Sequence, residues 1–292
     1  MCIRDRLLFD YDAKWLFEIH FQGIDFEYAH FAFDYYSTLR SLGLDVDIVP
    51  LNADLQGYAM IVVPPLPIVP DDLPGRIADS GAQVVFGPRS GSKTKSLQIP
   101  STLPPGPLQQ LLPMRVWRVE SMRPNVSETV RFGTEQGQAR YWRDLIEADG
   151  DGLQTIATFA DGHPAIVQKE RAHYLAGIFD AGLTTRYFEQ VARAAGLAPQ
   201  RLPEGLRLQQ RGGRDALLDH LRVAPVAREV VIDIEREGRR AEVTVGANFY
   251  AATRLCAAAY RIRPQARPEH VGLDADGHAG RGVGEHGEVG HE

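Results

Sequence analysis

The chain has 292 residues, 44% of them hydrophobic, with 32 Lys and Arg against 38 Asp and Glu and a formal net charge of −6. That suffices for one sizeable core with an appendage and excludes a basic nucleic-acid surface, since the Arg-rich stretches 207–214 and 236–240 are interleaved with Glu, Asp and Gly and read as solvated strand ends and turns. No run approaches the roughly 18 apolar residues of a membrane span, MCIRDR lacks the apolar stretch of a signal peptide, and Cys2 and Cys256 suggest neither a disulfide framework nor a zinc site; no nucleic acid, membrane, metal or cofactor is therefore expected, and cytoplasmic residence is the default.

In chain order, Met1 to Asp5 has no strand or helix logic and reads as a foreign or truncated end, with the first strand starting at Leu7, Leu8 and Phe9. Asp10, Tyr11 and Asp12 then fall at the carboxyl end of that strand, the side on which open α/β sheets place ligands and functional loops. The plainer reading is that Asp12 caps a helix AKWLFEI whose apolar face is Trp15, Leu16 and Ile19. A second helix is expected over 26–42, with Phe31, Tyr35, Leu39 and Leu42 three to four residues apart and Gly43 as its stop. Phe26, Tyr28, Phe31, Phe33, Tyr35 and Tyr36 crowd this segment beyond what one buried stripe accommodates, so a second apolar contact is expected here.

From Leu42 to Gly91 lie three short Val- and Ile-rich runs, around 46–49, 59–63 and 82–86, each closed by Pro or Gly, which read as buried strands. Between the second and third, DDLPGRIADSG offers Asp71 or Asp72 as N-cap, a stripe at Leu73 and Ile77, and Gly81 as the stop. Strand, helix, strand in that order favours parallel, right-handed pairing and an open α/β sheet.

The same stretch carries a resemblance. ADLQGYAMIVVPPLPIV followed by GAQVVFGPRSGSKT resembles the trimerisation domain of family-42 glycoside hydrolases, the bacterial beta-galactosidases, and LLFDYDAKW and YYSTLRSLGLDVDIV match the opening, first helix and second strand of that domain. The likeness extends more loosely to about Leu206. It implies a flavodoxin-like (class I glutamine amidotransferase-like) doubly wound sheet over 6–200 and an oligomerising module, trimeric in that family, of a protein that releases terminal beta-D-galactose. Retaining glycoside hydrolysis uses two carboxyl groups about 5 to 5.5 Å apart, and in this family both are glutamates of a barrel, the acid following an Asn. Here Asn52, Asn125 and Asn248 precede Ala, Val and Phe, and a barrel takes roughly 250 residues. The resemblance therefore implies no catalytic residue in this chain.

GPRSGSKT is the most site-like phrase: Gly87 and Gly91 bracket Arg89 and Ser90 on a loop at the same sheet edge as Asp10 and Asp12. One reading has Arg89 pairing with a carboxylate such as Asp10, or crossing to a neighbouring subunit. Another makes Ser90 the nucleophile of an amidotransferase-like enzyme with His163 or His173 as base, against which stands the Pro-rich continuation where a nucleophile elbow needs a helix. A third is a small-molecule site on the same edge.

Further on, MRVWRVESM, ETVRF, LQTIATFADG, PAIVQKERA and HYLAGIF read as strands, the last three as a meander turning at Asp161-Gly162 and Lys169-Glu170, and Leu183 to Ala195 as a helix stopped by Gly196. His163 and His173 lack metal-ligand spacing. From 201 to 264 a partial β region is expected, with a hairpin turning at Glu237-Gly238, though the text departs from the family after about Gly212. Residues 265–292 read as a disordered tail, in which the Gly282, Gly284, Gly287 spacing and the four His are incidental.

Overall fold

A computed structural model of the chain describes residues 4–202, apart from 22 and 24, and short stretches of strand backbone between 210 and 263. The first half supplies β1 (Arg4–Leu8), α1 (Tyr11–Ile19), α2 (Tyr28–Ser41), β2 (Val46–Val49), β3 (Tyr58–Val63), α3 (Leu73–Ser80) and β4 (Gln83–Phe86). The second adds β5 (Met114–Ser121), β6 (Glu128–Phe132), β7 (Glu135–Ala148), β8 (Gln154–Phe159), β9 (Pro164–Lys169), β10 (Ala172–Leu175), β11 (Gly177–Phe179) and α4 (Ala181–Ala194). They form one sheet of mixed sense. β2, β1, β3, β4 and β10 lie side by side and all parallel. The sheet then continues antiparallel through β9, β8, β6, β7 and β11, with β5 paired to β7. β10 is the seam, parallel to β4 on one side and antiparallel to β9 on the other.

The parallel strands are continuous apolar runs because cover on both faces leaves no solvated side to alternate toward: Met60 to Val63 and Val84 to Phe86 are buried. α3 starts after Asp72 with Pro74 in its first turn and stops at left-handed Gly81. α2 buries Phe31, Tyr35 and Leu39 and packs on α4, where the Tyr35 and Phe188 rings meet edge to face at 5.1 Å. The expected strands of the meander, its turns and the helix ended by Gly196 are present.

Three expectations need correction. The first strand begins at Arg4, and Asp5 and Arg6 are buried in it, so this end of the chain is part of the sheet. α1 is capped by Asp10, whose Oδ2 accepts the Ala13 N–H at 3.0 Å, and Asp12 merely sits in the first turn. That cap turns Ala13, Leu16 and Phe17 inward and leaves Trp15 and Ile19 exposed. The third is β7, a 14-residue strand with no counterpart in the sequence reading. Its buried positions are Gly137 and Ala139, then Trp142, Asp144, Leu145 and Ile146. Tyr141, at φ 65°, inserts an extra residue between the two sets and reverses the parity.

Beyond 202, Val230–Arg236 pairs antiparallel with Arg239–Val245, Arg236 opposite Arg239, as the hairpin expected around Glu237-Gly238 requires. The expectations for 265–292 and for the glycine and histidine spacings there lie outside the described residues.

Asp5 yields a pH prediction. It lies opposite Val46 of β2 and Met60 of β3, and burial first, then the charge of Asp45, raise its pKa to about 7. Between the ordinary Asp value near 4 and 7 the folded chain holds this proton and the unfolded chain does not, so the stability it contributes is complete below about pH 4 and lost as pH rises through 7. Urea melts across that window are expected to show Asp5→Asn with a flatter pH dependence, and more stable than wild type at pH 8 by on the order of 2 kcal/mol. Parallel curves for the two proteins would contradict the assignment.

Candidate functional site

After β4 the chain turns through Gly87, Pro88, Arg89, Ser90 and Gly91 at the carboxyl end of the parallel strands. Ser90 is buried; its Oγ donates to the Gly87 carbonyl (2.8 Å) and accepts the Leu66 N–H (3.2 Å), so the hydroxyl ties this loop to the one after β3. Arg89 has φ 66° and donates its backbone N–H to Asp144 Oδ2 at 2.8 Å. The Tyr174 hydroxyl donates to the same oxygen at 2.6 Å. Burial raises the Asp144 pKa, while the Arg89 charge, the Arg89 amide and the Tyr174 hydroxyl pull it back. The guanidinium carbon of Arg89 lies 5.9 Å from the Trp142 ring centroid.

The partner of Arg89 is thus Asp144, not Asp10, whose carboxylate is taken by the α1 cap. Burial is also the leading cause that raises the Asp10 pKa. Tyr11 and Asp12 are exposed in the first turn of α1, where the Tyr11 ring meets Phe9 and Trp15. Among the described residues no hydrogen bond joins Ser90 to a histidine. The buried His173 ring is bonded through Nδ1 to Tyr187 Oη (2.7 Å) and through Nε2 to Gln83 Oε1 (2.8 Å), and burial lowers its pKa to about 4. His163 donates its backbone N–H to Asp161. Among the described residues, Ser90 and His173 are therefore not assembled as the nucleophile and base of an amidotransferase-like site. Among the described residues no three His, Cys, Asp or Glu are grouped to hold a metal ion.

The crowded N-terminal rings divide into two sets. Phe17, Phe26, Tyr28, Phe31 and Tyr35 face inward, where Trp142 stacks on Phe17 at 5.6 Å and meets Phe26 at 4.3 Å. Tyr11, Trp15 and Ile19, at i, i+4 and i+8, form an outward stripe along α1 that is 62%, 53% and 82% exposed, continued by Phe21 and accompanied by Phe33 on α2.

Known proteins share this fold. Residues 6–198 match the sequence profile of the beta-galactosidase trimerisation domain. The chain belongs to this family. It is 45% identical over 206 residues to a beta-galactosidase of Thermus thermophilus, which uses 70% of this chain and 32% of that protein. Among solved structures, the beta-galactosidase of psychrophilic Marinomonas ef1 superposes with a TM-score of 0.72 at 31% identity, covering 80% of this chain and 34% of the other. That of the Antarctic haloarchaeon Halorubrum lacusprofundi gives 0.76 at 26% identity, covering 89% and 41%. The chain spans about a third of the curated relatives it matches.

In this trimerisation domain the GPRSG phrase has a steric origin. A Cβ on Gly91, which has φ 66°, would lie 1.9 Å from the Pro105 carbonyl oxygen, so only glycine lets the two loops touch. Gly57 has a similar φ of 78° but no atom within 4 Å of its Cβ position. Gly57→Ala is expected to cost about 1 kcal/mol from backbone strain. Gly91→Ala is expected to cost more than about 3 kcal/mol, because packed backbone must also move. Chemical denaturation of the two variants compares them directly, and equal losses would remove the steric account.

Proposed function

We propose that this domain assembles copies of its parent protein into a homo-oligomer, a trimer, through a surface that includes the outer face of α1. The observation that carries the reading is the stripe of Tyr11, Trp15 and Ile19 with Phe21 beside it, a contiguous apolar surface on a helix whose other face already fills the core. Membership of a family named for trimerisation supports it. The parent protein is then a cytoplasmic beta-galactosidase, acting on terminal beta-D-galactose, and the module contributes assembly rather than bond cleavage. No helix among the described residues is long and apolar enough to cross a membrane.

The strand order β2, β1, β3, β4, β10 in the parallel layer supports a flavodoxin-like assignment, since the first, second, third, fourth and last parallel strands then run 2-1-3-4-5. In this reading the module occupies 6–200, a partial β region 201–264 follows, and 265–292 is a tail. Tyr11 then belongs to the interface, Asp10 caps the helix that carries it, Asp12 is exposed in the same first turn, and Arg89 and Ser90 hold the loop at the sheet edge.

Sedimentation velocity over a concentration series tests the surface. The full chain is expected to associate with increasing concentration, and Trp15→Ser with Phe21→Ser to shift it to monomer with little change in thermal stability, since both side chains are exposed. A strictly monomeric wild type at high micromolar concentration, or association unchanged in the double variant, would overturn the proposal.

A further inference from the structure

A closed ring of three copies needs a heterologous contact, in which one surface of each copy meets a different surface of the next. The α1 stripe of Tyr11, Trp15, Ile19 and Phe21 is one such surface. Paired with the same stripe of a second copy it would give a two-fold dimer and stop there. A trimer built on this stripe therefore requires a complementary patch elsewhere on the domain.

Outside the stripe, the large apolar side chains exposed among the described residues are Phe33, Ile48, Leu97, Ile99, Trp117 and Val126. Phe33, Ile48 and Val126 are dispersed over α2, β2 and the turn between β5 and β6. The other three form a group. Leu97 and Ile99 share one loop, and Ile99 and Trp117 line one concavity of about 280 Å³ together with Leu103 and Val119. Trp117 is the unpaired residue of a bulge, since Val116 pairs with Ile146 and Arg118 with Leu145, and bulges re-aim side chains out of the ladder. The concavity is at the lower limit of small-molecule pockets and suits one inserted large side chain, the form in which aromatic anchors enter protein interfaces.

The charges beside the two patches are complementary. Lys93, half-buried in the wall of the concavity, and Lys95 beyond it have no ion pair among the described residues, while Arg118 is held by Glu120 at 2.9 Å. On α1, Lys14 is taken by Glu18, and Asp12, next to Tyr11, is exposed with no ion pair among the described residues. The patches are also fixed relative to each other. Arg89 lines the concavity, and its guanidinium carbon lies 5.9 Å from the ring of Trp142, which stacks at 5.6 Å on Phe17 of α1. A fixed angle between the two surfaces is what lets a head-to-tail contact close into a ring rather than run on as a filament.

Building on the trimeric reading of α1, we propose that the concavity walled by Ile99 and Trp117 receives the α1 stripe of the next copy, with Asp12 of one copy facing Lys93 of the other. Each copy then donates its helix on one side and accepts a helix on another. A pairing of stripe with stripe would leave the second apolar patch bare and the charges of Asp12 and Lys93 unmatched.

Complementation between variants of the full chain, followed by sedimentation velocity at high micromolar concentration, tests the pairing. Ile99→Ser with Trp117→Ser is expected to raise the dissociation constant at least about tenfold, as is Trp15→Ser with Phe21→Ser. An equimolar mixture of the two double variants should nevertheless form a one-to-one heterodimer and nothing larger, because one intact stripe then meets one intact concavity. Charge reversal checks the same contact with every apolar side chain in place. Asp12→Lys and Lys93→Glu should each weaken association about tenfold, and both together in one chain should restore it to within about threefold of wild type. Wild-type association of the Ile99, Trp117 variant, a mixture that stays monomeric, or no restoration on double reversal would overturn this acceptor and leave the role of the stripe standing. A monomeric wild type would instead overturn the trimeric reading itself, and the acceptor with it.

Discussion

A carboxylate buried as Asp144 is costs several kcal/mol unless charge and hydrogen bonds offset the lost hydration, and the groups that do so come from three different parts of the sheet. Asp144 belongs to β7 in the antiparallel half, Arg89 to the loop after β4 in the parallel half, and Tyr174 to β10, the seam between them. The two halves therefore share one polar node that neither can satisfy alone. Removing a single partner would strand a buried charge, which costs about 3–5 kcal/mol, so the register of β7 against the parallel strands is constrained well beyond what its backbone bonds require. A second node acts at the far rim, where Arg143, the residue before Asp144, meets Glu120, Glu128 and Asp161, each at 2.6 Å, from β5, from β6 and from the turn before β9.

The aromatic surplus follows from this geometry. Trp142 sits two residues before Asp144 on the same face of β7 and extends the core sideways, where Phe17 and Phe26 pack on it. One face of α1 is consumed by that contact through Ala13, Leu16 and Phe17. Rings carried on the remaining face have no intramolecular surface left to cover. A helix docked on one side by an aromatic cluster is also rigidly placed, which lowers the entropic cost of using its other side as an interface.

How much of this was legible in the sequence depended on whether burial coincided with a regular period. β3 and β4 are continuous apolar runs closed by Pro or Gly, and α2 keeps its stripe at Phe31, Tyr35, Leu39 and Leu42, so both kinds of element could be read directly. β7 hides because its inward positions hold Gly137, Ala139 and Asp144, and because the bulge at Tyr141 breaks the alternation midway. With β7 unread, Asp144 was not visible as a partner of Arg89, and Asp10 at the same sheet edge or a neighbouring subunit stood in its place. The choice between Asp10 and Asp12 as cap rests on where the strand ends, and the two-residue shift between them corresponds to a rotation of about 200° about the helix axis. That rotation decides whether Trp15 is core or surface.

The phrase most suggestive of chemistry, GPRSG, is accounted for by contact and charge: Gly91 for the approach of Pro105, Ser90 for the tie to Leu66, Arg89 for Asp144. Its site-like look came from the demands of a crowded loop junction, which selects small residues, a hydroxyl and a cation for the same geometric reasons that a catalytic loop does. Trp117 shows the opposite case. Inside MRVWRVESM it reads as one more aromatic of a strand, and only the unequal count between β5 and β7 reveals that it has no partner in the ladder. The features that regular pairing does not predict are thus the outward face left over by the α1 cap and the bulge of β5. The bulge leaves no periodic trace, because it depends on a register set by a partner strand distant in the chain, and the α1 stripe, though periodic, turns outward only because of which residue caps the helix.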